Sequence, residues 1–146
     1  EHYRAFYTYD TLRSTEADYR QKLAIVRAYP SDQTVVIARE FRLIQYYLPE
    51  YRVLSVPTFD PSIPDRIQSI ITVRHNQVEY RSDVVLDDVL PPSTRYLIFY
   101  DLHLIHFPLE QVELKAVSSG NVTVHVLDMG DHKHLRWTAS GITTTP

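Results

Sequence analysis

The chain has 146 residues, of which 44% are hydrophobic and 23% charged, and its formal net charge is −3. These values predict one folded globular domain over residues 1–146 and exclude a disordered or fibrous protein. The lack of cysteine excludes disulfides and thiolate chemistry, and with only three scattered lysines (Lys22, Lys115 and Lys133) we expect no nucleic-acid partner.

The N-terminal region gives two indications of context. No run approaches the roughly 20 apolar residues of a membrane-spanning helix, and no signal peptide is visible. The sequence starts at Glu1 without a methionine, which we interpret as a trimmed or mature fragment, with any membrane anchor lying outside it. Residues 1–13 contain four aromatic side chains, which predict either a packed N-terminal arm or an interfacial belt following a membrane helix.

The first half of the chain alternates helical and strand patterns. Ser14 is a candidate helix cap, and the helix should end near Ala28 because Pro30 follows. A β-branched strand, a helix and a second strand are then predicted over residues 34–38, 41–48 and 52–56. A strand-helix-strand unit of this length predicts a parallel pair with a right-handed crossover.

The second half has a strand-rich pattern. Three prolines in residues 57–64 predict a connecting or gating loop. Further strands are predicted over residues 68–73, 78–81, 95–100, 112–117, 122–127 and 135–138, with a frayed tail at 141–146. The fold class expected is α/β: a Rossmann-like, parallel-centred sheet flanked by helices, with an antiparallel C-terminal extension.

Ligands of open parallel sheets bind where the strands end, so the residues after the predicted strands are the candidate site. The loop after the first strand is Ala38-Arg39-Glu40-Phe41, without the glycines that a dinucleotide phosphate requires, and we expect no cofactor. The polar residues at these ends are Arg39, Glu40, Asp60, Asp101 and His103. They predict a small ligand pocket; the alternative is that they are ordinary charged loop residues.

Two clusters rich in histidine and aspartate, residues 101–106 and 128–134, are candidates for metal binding. Neither has an established ligand spacing, and Lys133 would repel a cation in the second, so we expect no metal site. No GxSxG elbow is present, and Asp87 with Asp88 fits a turn or a helix cap better than a catalytic pair. The sequence therefore predicts no catalytic residue.

Residues 32–38 (DQTVVIA) and 41–53 (FRLIQYYLPEYRV) carry a resemblance to a known family. Over residues 14–56 the chain resembles the C-terminal extracytoplasmic domain of bacterial polytopic membrane glycosyltransferases of the dolichyl-phosphate-mannose mannosyltransferase type. Residues 95–101 (RYLIFYD) resemble the same family more weakly. The resemblance implies sugar transfer from a polyprenyl-phosphate donor, with the catalytic acids in the membrane module and none in this chain.

From the resemblance we expect a non-catalytic accessory domain on the extracytoplasmic face of a bacterial membrane. Its expected partners are the parent membrane module and a glycan or polyprenyl-linked sugar, positioned at the strand-end pocket. One alternative is a self-contained small-molecule or metal-dependent hydrolase that uses Asp101 and His103. Another is a protein-interaction module, which predicts an exposed apolar patch.

Overall fold

The computed structural model describes residues 9–39, 41–58, 67–84, 86–101, 114–130, 134–138 and 141–145, and these form three helices and nine strands. The helices are α1 (Tyr9–Arg27), α2 (Phe41–Tyr47) and α3 (Leu86–Val89). The strands are β1 (Thr34–Ile37), β2 (Arg52–Thr58), β3 (Ile67–Arg74), β4 (Gln77–Val84), β5 (Tyr96–Phe99), β6 (Lys115–Ser119), β7 (Val122–Asp128), β8 (His134–Thr138) and β9 (Gly141–Thr145).

Seven strands form one mixed sheet in the order β4-β3-β2-β1-β5-β7-β6. β1 pairs in parallel with β2 and β5, which confirms the parallel strand-helix-strand unit, and the remaining neighbours pair antiparallel. The protein is thus of mixed α/β class with its parallel strands at the centre. The sheet as a whole is mostly antiparallel, because an antiparallel hairpin forms each of its edges. The β3–β4 hairpin is one edge, and the β6–β7 hairpin is the other.

A tight turn connects the two strands of each edge hairpin, β3–β4 and β6–β7. His75 and Asn76 connect β3 to β4 with φ values of 52° and 61°, the two positive angles of a type I′ hairpin turn. Gly120 opens the two-residue β6–β7 turn with φ +60°. A Cβ atom on Gly120 would lie 2.8 Å from Oε1 of Gln21, so the missing side chain also lets α1 pack closely against this hairpin.

The central strand is buried on both faces of the sheet. All four residues of β1 are buried, and successive side chains point to opposite faces. On one face Val36 packs in a cluster with Val26 of α1 and Ile44 of α2. On the other face Ile37 packs in a cluster with Val89 of α3. Among the described residues, the two longer helices therefore cover the same face and the short α3 packs against the other. The Rossmann-like arrangement we expected is not confirmed, because most neighbouring strands pair antiparallel.

Helix α1 begins at Tyr9, earlier than the start expected at Ser14. Residues 9–13 contain neither proline nor glycine, so nothing in the local sequence stops the helix from extending toward the N terminus. Part of the expected N-terminal arm is therefore helical. Residues 1–8 lie outside the described ranges.

Pro57 lies inside β2, although we expected it to begin an irregular loop. The β2–β3 register shifts between Ser55 and Thr58, so the strand carries an irregularity at this point. Proline has no N–H to donate to a ladder, and such a bulge is where a sheet tolerates it. The rest of the expected loop, residues 59–64, is not among the described residues.

At the C terminus, β9 pairs antiparallel with β8 in a separate two-stranded sheet. Residues 141–145 are therefore paired along their length and do not form the frayed tail expected. Three consecutive threonines follow Ile142, and β-branched residues favour the extended conformation.

Candidate functional site

The carboxyl ends of β1 and β5 lie side by side and bring together two of the predicted site residues. The Tyr100 amide donates to the Ile37 carbonyl at 3.0 Å, which continues the parallel ladder. Arg39 follows β1 and is exposed, whereas Asp101 follows β5 and is only 9% exposed. The other three predicted members, Glu40, Asp60 and His103, lie outside the described residues, so the complete pocket remains a prediction.

Asp101 forms an ion pair with Lys22 of α1. The Nζ atom of Lys22 lies 3.6 Å from Oδ1 of Asp101 and donates to the Tyr100 carbonyl at 3.2 Å. The same ammonium group lies 4.7 Å from the centre of the Tyr100 ring, within range of a cation–π interaction. Both charged side chains are largely buried, with exposed fractions of 20% and 12%. The pair therefore fixes α1 to the end of β5.

A cleft of about 580 Å³ opens beside this ion pair, between α1 and the β6–β7 hairpin. Its lining combines one carboxylate, one ammonium, an amide, a hydroxyl and an imidazole with an aromatic ring. The lining residues are Asp18, Lys22, Tyr100, Asn121, Val122, Thr123 and His125. The cleft is thus rich in hydrogen-bonding groups of both kinds, donors and acceptors.

Tyr100, which lines the cleft, contacts a second tyrosine, Tyr19 of α1. The rings of Tyr19 and Tyr100 meet edge to face, with their centroids 5.9 Å apart. Burial raises the pKa of the Tyr100 hydroxyl well above its ordinary value, and the neighbouring Tyr19 and Asp101 raise it further. Tyr100 is therefore a neutral phenol at physiological pH, not an activated nucleophile or base.

Of the two histidine-rich clusters, the described residues include only Asp101 of the first, and Asp128 to Gly130 with His134 of the second. The Asp128 carboxylate accepts from Arg95 Nε at 3.2 Å and from the Gly130 amide at 2.9 Å. These bonds hold the Asp128 pKa below its ordinary value. Among the described residues, no group of three or more His, Cys, Asp or Glu side chains is arranged to hold a metal ion.

The sequence did not indicate four of the cleft residues as a group: Lys22, Asn121, Thr123 and His125. They come from a helix and a hairpin about one hundred positions apart, and only the tertiary packing of α1 on β7 brings them together. One local signal was present: Asp18 and Lys22 are four positions apart, so they share one face of a helix. That face is the one that lines the cleft.

The chain was compared with family models, with curated proteins and with solved structures, and none of them matches. No helix among the described residues is both long enough and apolar enough to cross a membrane.

Proposed function

We propose that this chain is a non-catalytic accessory domain of a membrane glycosyltransferase-like protein, on the extracytoplasmic face of a bacterial membrane. In this proposal the domain positions a hydroxyl-rich acceptor, a glycan or a polyprenyl-linked sugar, for the parent membrane module. The sequence resemblance over residues 14–56 motivates the class of parent protein. The cleft between α1 and the β6–β7 hairpin is the observation that carries the binding role.

The cleft has the chemistry that a sugar requires. Sugar hydroxyls both donate and accept hydrogen bonds, and the cleft presents acceptors such as Asp18 beside groups such as Asn121 and Thr123 that do both. It lies next to Tyr100, at the carboxyl end of a parallel strand. In a Rossmann-like interpretation of β2, β1 and β5, this is the edge where open sheets bind their ligands.

The absence of a catalytic role is part of the proposal, and the states of Lys22 and Tyr100, two residues of the cleft lining, support it. Asp101 pairs with Lys22, so neither is available as an unpaired acid or base. Tyr100 is held in its neutral form. A binding role needs only these fixed hydrogen-bonding groups, whereas nucleophilic catalysis would need a nucleophile beside a base that activates it.

The gene that encodes the chain tests the assignment of the parent protein. We expect the open reading frame to encode several membrane-spanning helices upstream of Glu1. If the complete reading frame holds no such region, the proposed class of parent protein is wrong.

Binding of neutral methyl glycosides, followed by amide chemical shifts in ¹⁵N-labelled protein, tests the positioning role. We expect shifts at Asn121, Thr123 and His125, and weaker binding in Thr123→Val and His125→Phe. Lys115→Gln, on the same hairpin but outside the cleft, is the matched control and should bind normally. Shifts scattered over the surface, or equal affinity in all variants, would count against the cleft.

The protein-interaction alternative has one observation in its favour. Helix α2 exposes three large side chains, with exposed fractions of 48% for Leu43, 75% for Tyr46 and 41% for Tyr47. Cross-linking from position 42, on the same helix, tests this alternative. Recovery of the parent membrane module supports an accessory domain, whereas recovery of a separate protein supports an independent interaction module.

A further inference from the structure

A second cleft, of about 320 Å³, lies on the sheet face at the start of β2, away from the strand ends discussed above. It is formed by β2, β3, β4 and the turn between the last two. Three of its side chains are basic or imidazole groups, and one is a carboxylate. The lining residues are Arg52, Thr72, Arg74, His75, Gln77, Val78 and Glu79.

Strand register places the two arginines next to each other. Val53 pairs with Val73 and Leu54 pairs with Thr72 across β2 and β3, and the same register puts Arg74 opposite Arg52. Their side chains then share a face of the sheet, since residues opposite each other in an antiparallel pair point the same way. Like charges in opposite positions destabilise a sheet unless an anion lies between them.

Two buried polar atoms in this cleft have no hydrogen-bond partner, and both are donors. The first is Nε of Arg52, and the second is Oγ1 of Thr72. Thr72 is only 5% exposed. A buried donor without a partner costs roughly 1–3 kcal/mol. A bound anion would supply the acceptor that these two donors lack.

The charges around the cleft also favour an anion. Burial lowers the Arg52 pKa, and the neighbouring charge of Arg74 lowers it further. The carboxylate in the lining, that of Glu79, offsets part of this positive charge, but it also lies 3.9 Å from Nε of Arg81 outside the cleft. Arg74 uses its own Nε to donate to the Glu50 carbonyl at 3.3 Å, which fixes its guanidinium group in place.

We propose that this cleft binds a phosphate group, held by Arg52 and Arg74 and by the hydroxyl of Thr72. A guanidinium fork matches two phosphate oxygens, and the tetrahedral anion has further oxygens for a hydroxyl donor. The ligand is either free phosphate or the phosphate of a lipid headgroup. The three side chains that would hold the phosphate lie on β2 and β3, away from the cleft of the accessory-domain proposal, so the two proposals are tested independently.

Calorimetric titration with inorganic phosphate, and co-sedimentation with phosphatidylcholine vesicles with and without phosphatidic acid, test the proposal. We expect Arg52→Gln to weaken binding about ten- to hundredfold, since a hydrogen bond to a charged group contributes roughly 1.5–3 kcal/mol. Arg42→Gln, an exposed arginine on α2, is the matched control and should bind as the unmodified protein does.

Thr72→Val keeps the shape of the side chain and the fold, so it tests the site even if Arg52→Gln does not fold. We expect it to weaken phosphate binding about three- to tenfold while unfolding no more easily than the unmodified protein without phosphate. Binding to vesicles alone, lost in the same variants, assigns the site to a lipid phosphate. No binding in either assay, or binding that Thr72→Val and Arg52→Gln leave unchanged, overturns the proposal.

Discussion

Asp101 and Lys22 join a helix to a strand end through one ion pair, and each depends on the other. Removing the carboxylate in Asp101→Ala leaves a largely buried ammonium without its ion-pair partner, in contact with the Tyr100 carbonyl and ring. We expect the free energy of unfolding to fall by about 2–3 kcal/mol, below the full value for a completely buried pair because both groups retain some solvent contact.

The double variant Lys22→Met/Asp101→Ala separates the loss of the ion pair from the cost of leaving a buried cation unpaired. We expect it to be more stable than Asp101→Ala alone, since removing both charges also removes the unpaired one. Urea denaturation of the unmodified protein, Lys22→Met, Asp101→Ala and the double variant measures this coupling. A coupling energy near zero would show that the pair does not secure α1.

Asp128 should make a small part of the stability depend on pH. The hydrogen bond from Arg95 holds the Asp128 pKa below its ordinary value, so its contribution is fully present above about pH 4 and is lost as the pH falls through the lower, folded-state pKa. The carboxylate is about half exposed, so we expect less than about 1 kcal/mol.

Denaturation of the unmodified protein and Asp128→Asn across this acid range measures the Asp128 contribution. The two proteins should differ most near neutral pH and converge as the pH falls. A difference in stability that stays constant with pH would show that the Asp128 carboxylate does not contribute to the pH dependence.

The candidate site was only partly predictable at the level of residues. Arg39 and Asp101 follow β1 and β5, as expected, because a hydrophobic run and the polar residue after it are local features, but neither residue lines the cleft. Lys22 was not identified as the partner of Asp101, because that contact depends on how α1 packs across the sheet. Likewise, Arg52 and Thr72 become neighbours only once the β2–β3 register is known.

At the scale of elements, Gln45 shows how one buried side chain can join a helix to a hairpin. It lies on α2, is 2% exposed, and donates through Nε2 to the carbonyls of Leu48 and Tyr51 at 3.3 and 2.9 Å. Its Oε1 accepts from the Asn76 amide in the β3–β4 turn at 3.0 Å. The end of α2 and the turn are thus held by the same amide group.

Truncation by Gln45→Ala should therefore cost about 2–4 kcal/mol, because it removes the partners of three backbone groups at once. Gln77→Ala, at an exposed position on β4, is the control and should change the free energy of unfolding by less than about 0.5 kcal/mol. Chemical denaturation of both variants gives the comparison. Equal stabilities of the two variants would mean that the Gln45 contacts contribute little.

The existence of most elements could be predicted from sequence, but some of their boundaries and environments could not. β1, α2 and β2 have strong periodic patterns, and the structure contains all three where we expected them. Gln45 reads as an exposed polar residue in such a pattern, since its burial depends on a turn about 30 positions away. Pro57 misled the prediction because a bulge accommodates it within a strand.

At the scale of the whole molecule, burial divides the sheet into a protected centre and an exposed wing. β1 is buried throughout and paired on both sides, whereas residues 77–80 of β4 are all exposed at the sheet edge. Amides that exchange only on global unfolding should therefore be concentrated in β1 and β5, and those of the β4 edge should exchange by local opening.

Hydrogen exchange followed by mass spectrometry tests this division. We expect the peptide that contains β1 to exchange most slowly and the one that contains β4 to exchange orders of magnitude faster. Similar rates in the two would indicate that the β3–β4 wing opens only with the whole domain.

The overall α/β class followed from the alternation of helices and strands, yet the mostly antiparallel sheet did not. Strand patterns show which segments are extended, but the choice of neighbour depends on contacts between distant parts of the chain. The β3–β4 hairpin illustrates this, because its two strands were predicted while their attachment to the outer edge of β2 was not.

The position of β1 between β2 and β5 has a consequence for synthesis of the protein. β1 leaves the ribosome before β5, one of its two neighbours, which follows roughly 60 residues later, and such distant pairings form slowly. Until Tyr96–Phe99 is made, the nascent chain carries an apolar strand with one open edge, which is a template for aggregation. The domain is therefore expected to depend on chaperones most during this interval, before its sheet can close.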